Sequence, residues 1–340
     1  MAGGVGSRFW PMSTPAKPKQ FLDLTHCGRT MIQQTLDRFG DLIRPENVWV
    51  VTSRNYENLV REQLTGIPRA NILLEPCMRN TAPCIAYVTW KIKQRYPNAN
   101  LIITPSDHLV SDVTEFQRVI SRGIHFVSGC DRILTLGMKP TRPETGYGYI
   151  QSTGEASDSE IYPVAAFREK PDRQTAEGYL RQRNYYWNAG LFLWNVRTIE
   201  REIRSYVPDI ASLFDRMVHA FDTDKEQPTI DKLFPTVRAI SIDYAVMEKS
   251  DNVFVLPASF GWSDLGTWGS LQTIIASDDA ENSVIGDQVR MIESKNCMVH
   301  LPAGKKVVLQ GLDGYIIAEH DDVLMICKME EEQRIKMFSY

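Results

Sequence analysis

Short apolar runs alternate with stretches of helical spacing between residues 48 and 136, and this alternation constrains the fold more than any other feature of the chain. Val48-Trp49-Val50-Val51 reads as a buried strand, 56–64 as a helix and Ile72-Leu73-Leu74 as a strand. Residues 82–96 read as a helix with Thr81 as N-cap. Leu101-Ile102-Ile103-Thr104 is a strand ended by Pro105, 113–127 a helix, and Ile133-Leu134-Thr135-Leu136 a further strand. Strands spaced by helices of this length need crossover connections. They predict an α/β fold with a mostly parallel sheet and helices on both faces. Such open sheets bind ligands at the carboxyl ends of their strands.

The rest of the chain changes texture twice. Residues 141–195 look like strands and loops that fold over the carboxyl edge of the sheet, and 196–250 return to helix. Beyond about residue 282 only short strands broken by Gly, Pro and Asp remain, such as Val284-Ile285-Gly286, Val307-Val308-Leu309, Tyr315-Ile316-Ile317 and Val323-Leu324-Met325. The expected division is a catalytic domain over 1–280 and a small all-β appendage over 281–340. That appendage would be a few coils of a β-solenoid, although no strict hexapeptide repeat is visible.

Composition narrows the function. The 340 residues are 43% hydrophobic with a formal charge of −4, which supports a large core and gives no basic surface for nucleic acid. The six cysteines form no C-x-x-C pair and read as reduced thiols of a cytoplasmic protein. The six histidines lack metal-ligand spacing. No apolar run approaches the roughly 18 residues of a membrane span, and no signal peptide is visible. A phosphate-cradling loop normally follows a buried strand. Here a glycine-rich loop begins at Ala2, so a lost first strand or a late start site is the expectation.

That opening, Ala2-Gly3-Gly4-Val5-Gly6-Ser7-Arg8-Phe9-Trp10-Pro11-Met12-Ser13, is the strongest chemical signal. Gly3, Gly4 and Gly6 permit backbone conformations that bring N–H groups onto phosphate oxygens. Arg8 adds a fixed positive fork, and Pro18-Lys19-Gln20-Phe21 supplies a second cation. No Gly-Lys-Ser/Thr follows, so this is not a Walker A loop, and it lacks the G-x-G-x-x-G spacing.

Residues 2–24 resemble the signature loop of the sugar-nucleotide pyrophosphorylases. The Phe9-Trp10-Pro11-Met12-Ser13 and Pro18-Lys19-Gln20-Phe21 forms resemble the mannose-1-phosphate guanylyltransferase branch. The resemblance runs to about residue 338. It implies a Rossmann-like, GT-A-like nucleotidyltransferase fold, in which Arg8 and Lys19 hold the triphosphate and the attacking sugar phosphate. Ala2, Gly3, Gly4, Gly6 and Ser7 would line the nucleotide.

Further strings carry the same resemblance. Glu75-Pro76-Cys77-Met78-Arg79-Asn80-Thr81-Ala82-Pro83 is similar to a segment beside the purine, which implies nucleotide contacts from Glu75, Asn80, Thr81 and Ala82. Pro105-Ser106-Asp107-His108 and Gly261-Trp262-Ser263-Asp264-Leu265-Gly266-Thr267-Trp268 resemble the strings that supply Asp107 and Asp264 to Mg²⁺. Mg²⁺ takes one or two carboxylates plus phosphate oxygens. His108 reads as structural. Phe167-Arg168-Glu169-Lys170-Pro171 resembles a sugar-binding F-V-E-K-P motif, with Arg168 replacing Val and pointing away from Glu169. By resemblance, Glu169 accepts from sugar hydroxyls and Lys170 meets the sugar phosphate. Asn188 of Trp187-Asn188-Ala189-Gly190, Gly148 and Asp243 complete the sugar contacts. Tyr244, Val246 and Met247 read as core packing.

The implied reaction joins GTP and mannose 1-phosphate into GDP-mannose and diphosphate. Its nucleophile is already anionic and needs no general base, so catalysis would rest on Arg8, Lys19, Lys170 and Mg²⁺. Two alternatives stay open: another sugar 1-phosphate as substrate, or a non-catalytic paralogue that senses a sugar nucleotide. The retained Arg8, Lys19, Asp107, Lys170 and Asp264 weigh against the second. Bifunctional relatives carry an isomerase domain with metal-binding histidines. With only His300 and His320 late in this chain, no isomerase activity is expected. The expected partners are small molecules, neither nucleic acid nor membrane, with a homodimer left open.

Overall fold

The computed structural model describes residues 1–154 and 160–338. Two compact units emerge. One comprises Met1–Gly3, Arg38–Pro105 and Val110–Trp262, and the other Gly4–Asp37, Ser106–Leu109 and Ser263–Tyr340. Compactness therefore does not follow a single cut at 280. Phe9, Leu22, Leu24 and Met31 bury their side chains in one cluster with Trp268, Met298 and Ile316, which draws the opening loop into the unit of the C-terminal strands.

The strands up to residue 258 are β1 Val50–Ser53, β2 Ile72–Glu75, β3 Asn100–Ile103, β4 Leu109–Val110, β5 Ile133–Met138, β6 Tyr149–Ser152, β7 Tyr162–Arg168, β8 Tyr185–Asn195 and β9 Val253–Ala258. In the first unit, β1 and β2 pair in parallel, Val50 opposite Ile72. Ala2 bridges in parallel to Thr52 on the same pair. A six-stranded sheet runs β3-β8-β5-β9-β7-β6, with β6 also bonded to β8. The α/β class holds, but the expected pairing sense needs correction: this sheet is mixed. Among the described residues only its β5–β9 pair is parallel, while β3–β8, β5–β8, β6–β7, β6–β8 and β7–β9 are antiparallel. The reason is β8. Its apolar run inserts between β3 and β5 with Trp194 opposite both Leu101 and Ile133. Residues 149–195 thus supply members of the central sheet, not a cover over its edge.

Burial explains why these segments form. All six positions of β5 are buried, as suits a strand covered on both faces. Each large apolar side chain so buried contributes roughly 1.5–3 kcal/mol. The helix Thr81–Arg95 is buried at every position from Ala82 to Ile92 and so lacks a polar face. Its N-cap is Asn80, one residue earlier than expected, because the Asn80 side chain accepts from Thr81 N at 2.8 Å. Thr81 Oγ1 is turned to another task, accepting from Ile242 N at 2.8 Å. The helix Val113–Val127 matches its expected bounds and is capped by Asp112. No described helix is long and apolar enough to cross a membrane.

In the second unit the strands continue with β11 Ser283–Ile285, β12 Val289–Ile292, β13 Met298–His300, β14 Val307–Gln310, β15 Tyr315–His320 and β16 Val323–Lys328, after the two-residue β10 Trp262–Ser263. β11, β13 and β15 stack in parallel, Ser283 opposite Met298 and Met298 opposite Ile316. β12 and β14 stack likewise, Val289 opposite Val307. These parallel pairings make a short coil. Its last rung, β16, turns back antiparallel on β15. A 3₁₀ segment, Met329–Met337, follows.

Candidate functional site

The glycine loop of the second unit is shaped around Lys19. Gly6 has φ +70°, and a Cβ there would lie 2.5 Å from Lys19 Cβ, so only glycine lets the loop approach. Ser13 Oγ donates to Gly6 O at 2.5 Å, and Lys19 N donates to Val5 O at 3.1 Å. These bonds tie the Pro-Lys-Gln-Phe turn to the loop. Lys19 is 4% exposed, and its Nζ lies 5.9 Å from the Phe9 ring centroid. A buried ammonium needs partners. It has them in Asp107 Oδ2 at 3.0 Å and Asp264 O at 2.6 Å.

Sequence reasoning singled out Lys19, Asp107 and Asp264 separately, and the second unit brings them together. Burial alone would raise the Asp107 carboxyl, but the Lys19 charge, with His108 adding to it, outweighs this and holds it below the usual carboxylate range. His108 Nε2 stands 3.9 Å from Asp107 Oδ1. Asp264 sits in a tight turn. Its Oδ1 accepts from Gly266 N at 2.9 Å, Leu265 has φ +44°, and a Cβ on Gly266 would lie 2.6 Å from Asp264 Oδ2. Arg8 extends from the 3₁₀ turn Ser7–Phe9, and its Nη1 donates to Gln333 Oε1 at 3.4 Å.

The carboxylates of Asp107 and Asp264 are hard oxygen donors of the type Mg²⁺ takes. Among the described residues no group of three or more His, Cys, Asp or Glu side chains is placed to hold a metal ion by itself. An ion here would complete its shell with water and substrate phosphate, which is the habit of Mg²⁺.

The first unit gathers the residues assigned to the sugar. Asn188 Nδ2 donates to Asp243 Oδ1 at 2.9 Å, and Asn188 N donates to Gly148 O at 2.8 Å. A Cβ on Gly148 would lie 2.5 Å from Glu169 Oε2. Burial, reinforced by the charge of Glu169, pushes Asp243 up to about 6 against the opposing Asn188 bond. Glu169 and Lys170 lie just past the end of β7, and Lys170 has φ +45°. Lys170 Nζ is 3.4 Å from Glu169 Oε1 and largely exposed, a weak surface pair that leaves its charge available. Together Gly148, Glu169, Asn188 and Asp243 make a patch of acceptors and one amide, suited to a polyol.

The same unit holds the segment assigned to the base. Burial raises Glu75 to about 8, and its Oε1 has no hydrogen-bond partner among the described residues. A Cβ on Gly3 would stand 3.9 Å from Glu75 Oε2. Asn80 is exposed and Ala82 buried. Tyr244, expected in the core, is 47% exposed, whereas Val246 and Met247 are buried. The local helix is a π turn, Asp243–Met247, whose wider spacing puts Tyr244 outside. The sequence gives no sign of Gln333 or Glu332, because no local pattern links the Met329–Met337 segment to Arg8 or to Gly269.

Comparison with known proteins identifies the family of the chain. Residues 1–281 match the nucleotidyl transferase family. The chain is 36% identical to a mannose-1-phosphate guanylyltransferase of Escherichia coli over 99% of its own length and 73% of that protein. It is also 36% identical to the alginate biosynthesis protein AlgA of Pseudomonas putida over 99% of its length and 69% of that protein. Among solved structures, one described as mannose-1-phosphate geranyltransferase from Thermus thermophilus superimposes with a TM-score of 0.89 and 29% identity, covering 99% of this chain and 96% of that one.

Proposed function

Because the chain belongs to the nucleotidyl transferase family, we propose that it joins GTP and α-D-mannose 1-phosphate into GDP-mannose and diphosphate. An anionic phosphate oxygen of mannose 1-phosphate forms a bond to the α-phosphorus of GTP. The bond from that phosphorus to the α,β-bridging oxygen breaks, and its electron pair leaves with diphosphate. No proton is removed from the nucleophile, so no general base is needed.

The observation that carries this reading is Lys19, buried and aimed by the Asp107 carboxylate and the Asp264 carbonyl. A fixed ammonium costs no reorganisation when charge develops on the phosphates. Arg8 adds a planar fork for phosphate oxygens, and the Gly4–Gly6 backbone supplies N–H donors. Asp107 and Asp264 are the residues that would hold Mg²⁺, which supplies charge neutralisation on the phosphates. In the first unit, Glu169, Asn188, Asp243 and the Gly148 backbone bind sugar hydroxyls, and Lys170 meets the sugar phosphate. Glu75, Asn80, Thr81 and Ala82, with Ala2 and Gly3, bind the nucleoside. Residues 1–280 would be the catalytic portion and 281–340 its β appendage.

The choice of mannose and guanine rests on the relatives. Turnover with four nucleoside triphosphates against several hexose 1-phosphates tests it. GTP with mannose 1-phosphate should exceed every other pair, and a preference for a different sugar or base would overturn the assignment while leaving the transferase chemistry intact.

A further inference from the structure

The 3₁₀ segment Met329–Met337 follows the last strand and lies against the elements that carry the phosphate chemistry. Ile335 is fully buried in the apolar cluster that contains Phe9 and Trp268, whose ring centroids are 5.2 Å apart. On one side of this anchor Glu332 Oε2 accepts from Gly269 N at 2.8 Å, at the start of the helix after the Asp264 turn. On the other side Gln333 Oε1 accepts from Arg8 Nη1 at 3.4 Å. The segment thus touches both the turn that bears Arg8 and the helix that follows Asp264.

The run Glu330-Glu331-Glu332-Gln333 offers three acids and one amide, and Arg8 meets the amide. The acids engage other groups: Glu330 stands 3.3 Å from Lys328, Glu331 2.7 Å from Arg334, and Glu332 accepts from Gly269. A carboxylate opposite Arg8 would neutralise the charge that a triphosphate needs. A carboxamide oxygen orients the guanidinium without cancelling that charge.

On the reading given above, we propose that Gln333 is a positioning residue for nucleotidyl transfer, holding Arg8 aimed at the triphosphate with a neutral acceptor. Three variants of the full chain test it: Gln333→Ala, Gln333→Glu, and Gln333→Ala in an Arg8→Ala background. Gln333 is exposed, so thermal unfolding should be unchanged in the first two. Gln333→Ala should raise KM for GTP about ten-fold, the scale of a hydrogen bond to a charged group, while KM for mannose 1-phosphate stays put. Gln333→Glu keeps the shape and the acceptor but should do at least as much damage. In the Arg8→Ala background Gln333→Ala should add nothing. Wild-type behaviour of Gln333→Glu, or an undiminished effect of Gln333→Ala without Arg8, would overturn the proposal. Calorimetric titration of the same proteins with GTP separates this from the assigned reaction. A chain that releases no diphosphate refutes the reaction, whereas the order wild type, Gln333→Ala, Gln333→Glu in GTP affinity tests Gln333 by itself.

Discussion

Lys19 Nζ stands 3.0 Å from Asp107 Oδ2, joining a residue of the glycine-loop region to one in the Ser106–Leu109 segment. With Lys19 only 4% exposed, the pair is structural and electrostatic at once. Asp107→Asn should leave the ammonium without its carboxylate and cost about 1–3 kcal/mol of stability. It should also lower turnover on the order of 10²-fold. Because the Lys19 charge holds Asp107 below its ordinary value of 3.8, its stabilising contribution is complete above that pH. It is lost as pH falls through the lower folded value. Urea unfolding at pH 7 and pH 3 checks this: the gap between wild type and Asp107→Asn should narrow at the lower pH.

The left-handed backbone at Gly6 makes a second expectation. Gly6→Ala combines φ +70° with a Cβ 2.5 Å from Lys19 Cβ. The backbone strain alone is about 1–2 kcal/mol, and the steric conflict displaces Lys19. Thermal unfolding should drop by several degrees, and kcat should fall with it. Gly4→Ala, where nothing lies within 4 Å of the added carbon, should be far milder in stability.

Asp243 carries a stability cost in its ionised form. Its carboxyl is raised to about 6 from 3.8, chiefly by burial. Since the folded value lies above the unfolded one, the group stabilises the fold most below 3.8, and that contribution is lost as pH rises through 6. Asp243→Asn should therefore gain up to about 2 kcal/mol at pH 7.5 relative to pH 4. The same variant should raise KM for the sugar phosphate. Chemical denaturation across pH 4–8, beside steady-state kinetics, reads both effects.

Gly148 tests the sugar patch by shape. Gly148→Ala places a methyl 2.5 Å from Glu169 Oε2 and must push that carboxylate aside. KM for mannose 1-phosphate should rise about ten-fold or more, with GTP affinity unchanged. A change in GTP affinity alone would remove Gly148 and Glu169 from sugar recognition.

Strands with strong local patterns were legible. β5 and the helix Val113–Val127 begin where their apolar spacing says, because burial on both faces or a clear cap leaves few alternatives. The direction of β8 was not legible. Nothing local in Tyr185–Asn195 says that it will enter between β3 and β5 in the opposite sense, and pairing sense is a tertiary property. The helix start slipped by one residue because Asn80 and Thr81 are both competent caps, and Thr81 was claimed by Ile242. Lys19, Asp107 and Asp264 were each visible within a motif. Their meeting depends on how the glycine loop, the Ser106–Leu109 segment and the stretch from Ser263 onward pack into one unit. Gln333 and the His26–His300 contact, 3.2 Å between Nε2 atoms, had no signal at all, since each joins residues remote in sequence.

The cluster of Lys19, Asp107 and Asp264 is the core of the account, and diphosphate release from GTP, mannose 1-phosphate and Mg²⁺ by wild type and Asp264→Asn tests it most directly. Wild type should release diphosphate only when both substrates are present. Asp264→Asn should bind GTP within a few-fold of wild type yet turn over on the order of 10²-fold more slowly. Wild-type turnover in that variant, or no diphosphate from the folded wild-type chain, would contradict it.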